Sequence, residues 1–433
     1  MSRNEKKDPT SEAGNTETIA IKETVTAEAR PLSDLERGMK MLEYLEKGPW
    51  PSYVSELRKT KYPIEVYAEG LARKYTPWLS GSFRVRYVFS GILARRSRDG
   101  KYVEIHFRTY TPAGRFYSTS YLRKIIDVAE KYGIGLVELA ANTGALVINV
   151  WSDKADEAVD VLRNYVGTDV GGSGDTVREL YACPGPALCE FALYDTLSAM
   201  DYIRRHPFVY QHLNNQLFPY KIKFRFSGCP MDCAMGNSRA DFAFIGTWVG
   251  PHEIDQDLFR KKVEAGEVNP KELAESCPSK AITWDEERRE LRIDESKCVR
   301  SMNCIRRAFP AIKPGRNRKI ALLVGAHVQA HFGPKLAKAV ALLDSVEEAM
   351  PFIGKVMEAY MDYGASKHRI GDMIYKRGFK VISEIADKTL PSKPRGAPST
   401  HLRISIGAVL TDDERKLYED WAKSLVKEYF GEG

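Results

Sequence analysis

The chain has 433 residues, 43% of them hydrophobic and 28% charged, an ordinary composition for roughly two to three domains of about 150 residues each. No stretch approaches the roughly 18 to 20 consecutive apolar residues of a membrane-spanning helix, and the longest apolar run, 320–328, is interrupted by Gly325, Ala326 and His327. The 65 Lys and Arg against 58 Asp and Glu leave a net charge of +7, too diffuse to argue for a nucleic acid but compatible with a small anion.

Residues 1–30 alternate charges with Thr, Ala and Gly and contain no apolar core of a secretory signal. They read as a disordered leader on a cytoplasmic protein. Within 31–53, Leu32, Leu35, Met39, Leu42 and Leu45 have loosely helical spacing, ended by Gly48, Pro49 and Pro51. From 101 to 167 the pattern predicts strand, helix, strand, strand, helix. The strands are expected at 102–109, 135–139 and 145–150. The first helix places Leu122, Ile125, Ile126 and Ala129 on one face, with Ser118 to cap it and Gly133 to stop it, and a second amphipathic helix covers 155–166. Such an order is the split βαβ, ferredoxin-like arrangement.

Gly171, Gly172 and Gly174 then punctuate the chain before a cysteine-bearing region with a predicted helix at 190–203 and a strand at 220–226. A small polar segment, 251–314, carries three cysteines and a predicted hairpin of 282–284 against 291–293, and reads as inserted. Strand and helix patterns resume at 320–324 and 346–363, and a last helix is expected at 414–429. The expected domains are therefore the leader 1–30, a helical segment with the ferredoxin-like half at 31–174, a second half made of 175–250 and 315–433, and the insertion 251–314.

Seven cysteines are too few for a disulfide scaffold and too clustered for random core thiols, so they point to metal or redox chemistry. Cys183 and Cys189 form a C-x5-C pair in ACPGPALCE, and Cys229 and Cys233 a C-x3-C pair in SGCPMDC. Four thiolates from two loops suit the four iron corners of a 4Fe-4S cube. Structural zinc is the rival, but it favours shorter gaps in both pairs than the five residues between Cys183 and Cys189. A second set, Cys277, Cys298 and Cys304, resembles a ferredoxin motif with Ser301 at the middle position. That set is one thiolate short. Ser301 supplies an oxygen to a 4Fe-4S cluster, or the cluster is of the 3Fe-4S type, or an outside group completes it, or no cluster forms.

LEKGPWPSYV (45–54), GGSGDTVRELYACPGPALCEFALYDTL (171–197), PYKIKFRFSGCPMDC (219–233) and RADFAFIGTW (239–248) are similar to the alpha subunit of dissimilatory sulfite reductase, and the similarity runs with gaps over about 45–388. The resemblance implies an α/β (α+β) fold of the sulfite and nitrite reductase type, with a ferredoxin-like half, a siroheme-binding half and an inserted ferredoxin domain. It implies siroheme coupled to a 4Fe-4S cluster on Cys183, Cys189, Cys229 and Cys233, with Cys233 as the shared thiolate. It also implies sulfite as substrate and Arg108, Arg178, Lys221 and Lys223 as its anion-binding residues. On a strand the last two, at i and i+2, point to one face. The implied partners are a homologous beta subunit in an α2β2 assembly, a DsrC-type sulfur carrier protein and an electron donor complex. A siroheme nitrite reductase, another sulfite reductase branch, or a partner subunit whose own siroheme is structural are the alternatives, and the direction of the reaction stays open.

Overall fold

The structure is a computed structural model that describes Lys47, residues 86–89 and 91–96, and 102–390 apart from 134, 141–144, 169, 173, 214, 216 and 329–331. The expected leader, the helix within 31–53, the LEKGPWPSYV motif other than Lys47 and the expected last helix lie outside the described residues. Apart from Lys47, everything described belongs to one of two compact units, Trp78–Gly433.

Two five-stranded sheets organise this unit. The first is antiparallel: β1 (Arg86–Phe89), β2 (Ile92–Arg96), β3 (Tyr102–Arg108), β4 (Val137–Leu139) and β5 (Leu146–Trp151) lie in the order β1-β2-β3-β5-β4. Because β5 separates β3 from β4, the connection through α1 (Thr119–Tyr132) is the expected split crossover. The β1–β2 hairpin fills the place beside β3 and was not expected. Helix α1 starts where the Ser118 side chain accepts the Tyr121 N–H and stops at Gly133. That glycine is required by close approach, since a Cβ there would sit 1.7 Å from the carbonyl oxygen of Asn149. Ile125, Val128, Ala129 and Tyr132 of α1 and Ala158 of α2 (Ala155–Val161) pack on Phe107, Leu146, Ile148 and Val150, so the alternating pattern of β5 faces a real core.

The second sheet is mixed. β6 (Val177–Ala182), β7 (Ile222–Ser227) and β8 (Phe242–Val249) run parallel, and β13 (Asn317–Val324) and β14 (Lys338–Leu343) continue antiparallel, in the order β14-β13-β8-β7-β6. Between β6 and β7 lie α3 (Thr196–Arg205) and α4 (Pro207–Tyr210), and between β7 and β8 lies α5 (Gly236–Arg239). The expected helix at 190–203 begins only at Thr196. Asp195 caps it by accepting the N–H groups of Leu197 and Ser198, while Leu193 donates to the carbonyl of Gly228 and so holds the preceding turn against the next strand. One sheet face carries Phe224, Phe226, Phe242 and Phe244, stacked in pairs at 5.0 and 5.1 Å, and is covered by α3 and by α9 (Met350–Tyr363), α10 (Ile370–Arg377) and α11 (Lys380–Thr389). Strand alternation leaves Lys223, Arg225 and Ser227 on the other face.

Val249 pairs with Asn317, so the chain leaves and rejoins the sheet at one point. Between them lie β9 (Glu253–Ile254), α6 (Gln256–Glu264), α7 (Pro270–Glu275), the β10–β11 hairpin (Ile282–Asp285 with Glu290–Ile293), α8 (Asn303–Ala308) and β12 (Ile312–Lys313), the last pairing with β9. Phe259, Leu273, Leu291 and Ile305 are buried together there. Among the described residues no helix is long and apolar enough to cross a membrane.

Candidate functional site

Cys183 and Cys229 follow the carboxyl ends of the parallel neighbours β6 and β7, where a sheet of this kind opens a crevice. The Cys183 N–H extends the strand pairing to the carbonyl of Phe226, and its sulfur accepts the Gly228 N–H at 3.2 Å. Gly185 turns the chain toward Cys189 with φ +56, and a Cβ there would meet Thr196 Oγ1 at 2.3 Å. The turn between Cys229 and Cys233 is shaped by buried Asp232, which sits at φ +50. Its carboxylate accepts the Ser227 hydroxyl (2.6 Å) and the N–H groups of Gly236 (2.7 Å) and Asn237 (2.8 Å).

These turns bring all four thiols within electrostatic reach of one another. Burial first, with Cys233, Cys189 and Cys183 adding to it and the Met231 N–H opposing, pushes the Cys229 thiol up to about 12. The Cys233 thiol is raised as well, first by burial and then by Cys183 and Cys189. Protons held this tightly are given up readily only to a cation, and four clustered thiolates from two turns are a donor set that fits an iron–sulfur cube. Cys183 and Cys229 are buried, Cys189 is partly buried and Cys233 is exposed.

Toward the amino ends of the same two strands, β6 and β7, lies a set of cations. Lys221 is buried immediately before β7, its ammonium near the Tyr220 hydroxyl (3.3 Å) and 4.6 Å from that ring's centroid. Burial, then the positive charges of Arg178, Arg369 and Lys223, hold it down to about 7, with Asp241 opposing. Arg178 lies 5.6 Å from the same ring and donates from Nε and Nη2 to the Gly174 carbonyl. Arg108 donates to the Gly172 carbonyl at 2.6 Å, and a Cβ on Gly172 would lie between the Arg178 carbonyl oxygen and the Arg108 guanidinium. The sequence-predicted Lys221, Lys223 and Arg178 are thus brought together, and Arg108 meets the same glycine loop. Arg369 and Asp241 were missed. So was Arg225, buried on the same face, 4.8 Å from the Tyr181 ring and donating to the Ala234 carbonyl next to Cys233; its i+2 spacing from Lys223 was the available signal.

The second cysteine set also converges. Cys277, Cys298, Cys304 and Ser301 line one small recess, partly open to solvent. The Cys277 sulfur accepts the Ala281 N–H and the Cys298 sulfur the Arg300 N–H, both at 3.3 Å. Burial would raise the Cys277 thiol, but that N–H and those around Ser279 outweigh it and lower the pKa. The same recess is lined by His252, which sequence reasoning did not select. Burial opposes a charge on its ring, yet the sulfurs of Cys298 and Cys304 and the Glu295 carboxylate hold its pKa up to about 11.

Comparison with known proteins agrees with this geometry. Residues 95–165 match the nitrite/sulfite reductase ferredoxin-like half domain, and residues 173–393 match the nitrite and sulphite reductase 4Fe-4S domain. The alpha subunit of dissimilatory-type sulfite reductase from Nitratidesulfovibrio vulgaris is 30% identical over 80% of this chain and 89% of the relative. The corresponding subunit from Allochromatium vinosum is 29% identical over 84% and 93%. A crystal structure of dissimilatory sulfite reductase I (DsrI) superposes with TM-score 0.66 at 28% identity, covering 87% of this chain and 95% of the other. The two halves matched in order, the cysteine pairs at the strand ends and similarity over nearly the whole relative lead to one conclusion: the chain belongs to the dissimilatory sulfite reductase alpha-subunit family.

Proposed function

We propose that this chain interconverts sulfite and sulfide-level sulfur at a siroheme coupled to a 4Fe-4S cluster on Cys183, Cys189, Cys229 and Cys233. The observation that carries the reading is the convergence of four thiols past the carboxyl ends of β6 and β7, the same two strands whose amino ends gather Arg178, Lys221 and Lys223. Cys233 is the exposed thiol of the four, which suits its role as the thiolate shared with the siroheme. When bound, siroheme supplies an iron that holds the sulfur atom, and the cluster supplies electrons to it. Reduction of sulfite to sulfide takes six electrons and six protons and releases three waters, two electrons and two protons for each S–O bond broken.

The protein's own part is to hold charge and deliver protons. Lys223, Arg178 and Arg108 attract the oxyanion by charge-assisted hydrogen bonds. Lys221, held near 7, is the side chain that can give up a proton close to neutral pH and take another from water. Cys277, Cys298 and Cys304 would hold a second cluster, which would supply one-electron transfer. The beta subunit of the dissimilatory-type enzyme from Archaeoglobus fulgidus is 21% identical over 73% of this chain, which supports a homologous beta subunit as partner in an α2β2 assembly. A DsrC-type sulfur carrier and an electron donor complex complete the reading.

The test is metal and tetrapyrrole analysis of the purified complex with turnover on sulfite and on nitrite. Siroheme, iron for two clusters per alpha subunit and preference for sulfite are expected. Cys233→Ala with unchanged siroheme absorption and full iron would refute the cluster assignment.

A further inference from the structure

We propose that His252 is the fourth protein ligand of the second cluster, replacing the thiolate that the Ser301 position lacks. This assignment rests on the reading that Cys277, Cys298 and Cys304 hold a cluster, and adds the ligand that completes it. His252 is 8% exposed and lines the same recess as those three cysteines. A ring nitrogen, the Cys298 sulfur and a Glu295 carboxylate oxygen lie within 4.8 Å of one another.

One ring nitrogen is already committed. Nδ1 lies 2.6 Å from Glu295 Oε1, and the backbone N–H of His252 donates to the same oxygen at 2.8 Å. With one proton kept on Nδ1 and the other displaced by the metal, the imidazole would offer the Nε2 lone pair, the arrangement by which carboxylates orient histidine ligands. Imidazole is a good ligand for iron.

The surroundings fix this geometry from the opposite side. Arg300, 1% exposed, donates from Nε to the Trp248 carbonyl at 2.9 Å and from Nη2 to the Gly250 carbonyl at 3.4 Å. Its own backbone N–H serves the Cys298 sulfur. One residue therefore ties the cysteine loop to the segment that presents His252, while the Trp248 ring stands edge-on to the imidazole at 5.0 Å. Ser301, by contrast, accepts the Asn303 N–H at 3.4 Å, a local serine turn ahead of α8.

The experiment uses the intact complex, prepared anaerobically from cells supplied with 15N-histidine, with iron counting and pulsed EPR of the reduced second cluster. A large 15N coupling, of the kind a directly bound nitrogen gives, is expected in the wild type and in Ser301→Ala, and its loss in His252→Ala. His252→Cys should give a four-thiolate cluster without the coupling and at lower potential, since histidine ligation raises cluster potentials. Only a weak coupling, as through an N–H···S hydrogen bond, or loss of iron in Ser301→Ala but not in His252→Ala, would overturn the assignment. The wild-type measurement decides even if a variant fails to fold. Iron for a single cluster in the wild type would instead overturn the underlying two-cluster reading, and this assignment with it.

Discussion

The guanidinium of Arg369 forks onto both carboxylate oxygens of Asp241, 128 residues away, with Nε 3.0 Å from Oδ1. Both residues are buried, and Asp241 also accepts the backbone N–H of Lys223 at 2.8 Å. The pair thereby ties the start of α10 to β7 at the point where Lys221 and Lys223 emerge.

Breaking this pair should be costly, because the remaining buried charge loses the opposite charge it is paired with. Asp241→Ala strands Arg369 beside Lys221 and is expected to cost about 3–5 kcal/mol. Arg369→Met should cost a similar amount. The double variant Asp241→Leu with Arg369→Met removes both charges, so its loss should fall well below the sum of the two single losses. Denaturant titration of the three variants checks this, and simple additivity would show that the two residues do not act as a pair.

Lys221 gives the site a pH signature. Burial, reinforced by Arg178, Arg369 and Lys223, holds its pKa at about 7 in the folded chain, against 10.5 ordinarily. Between these values the unfolded chain binds the extra proton, so this group makes stability rise with pH from about 7 to 10.5, and below 7 the buried charge costs in full. Lys221→Met should therefore stabilise the chain by about 1–3 kcal/mol below pH 7, a gain that fades toward pH 10.5. Sulfite binding should change in the other direction. In the wild type KM for sulfite rises as pH passes through about 7 and the ammonium is lost, while the Met variant lacks that inflection. Melting curves and steady-state kinetics at pH 6 to 10 measure both, and a Met variant with the wild-type inflection would assign it to another group.

The contrast between Ser118 and Arg369 shows what the sequence could reveal. Ser118 caps its own neighbours and the Gly133 N–H closes the last turn on the Ala129 carbonyl, so the limits of α1 were legible from local spacing, although it is the distant Asn149 carbonyl that demands a glycine there. The hairpin of β10 and β11 and the two cysteine pairs were legible for the same reason. Arg369 and Asp241 meet only because the second sheet folds α10 back over β8, and no local pattern records that. The late start of α3 is also tertiary: Leu193 is taken by Gly228 on the neighbouring turn, which keeps 190–195 out of the helix. His252 has no ligand-like spacing to any cysteine, and a lone histidine reads as structural until Glu295 and the thiols are seen around it.

Lys223 is the position at which charge can be removed with least damage to the fold. Its side chain is half-buried on β7, and its backbone, held by Asp241, stays in place whatever side chain it carries. Lys223→Met keeps the length and the apolar stem and deletes only the ammonium. A charge-assisted hydrogen bond is worth about 1.5–3 kcal/mol, and about 1.4 kcal/mol is tenfold in rate, so kcat/KM for sulfite should fall by about ten- to a hundredfold. The melting temperature should change little, because the variant buries no new charge, and iron and siroheme contents should match the wild type, because no cysteine turn depends on this side chain. Comparing these readouts separates a lost anion contact from a damaged centre. Unchanged kcat/KM in the intact complex would remove Lys223 from the site, whereas a fall accompanied by loss of siroheme would show that its charge holds the cofactor rather than the substrate.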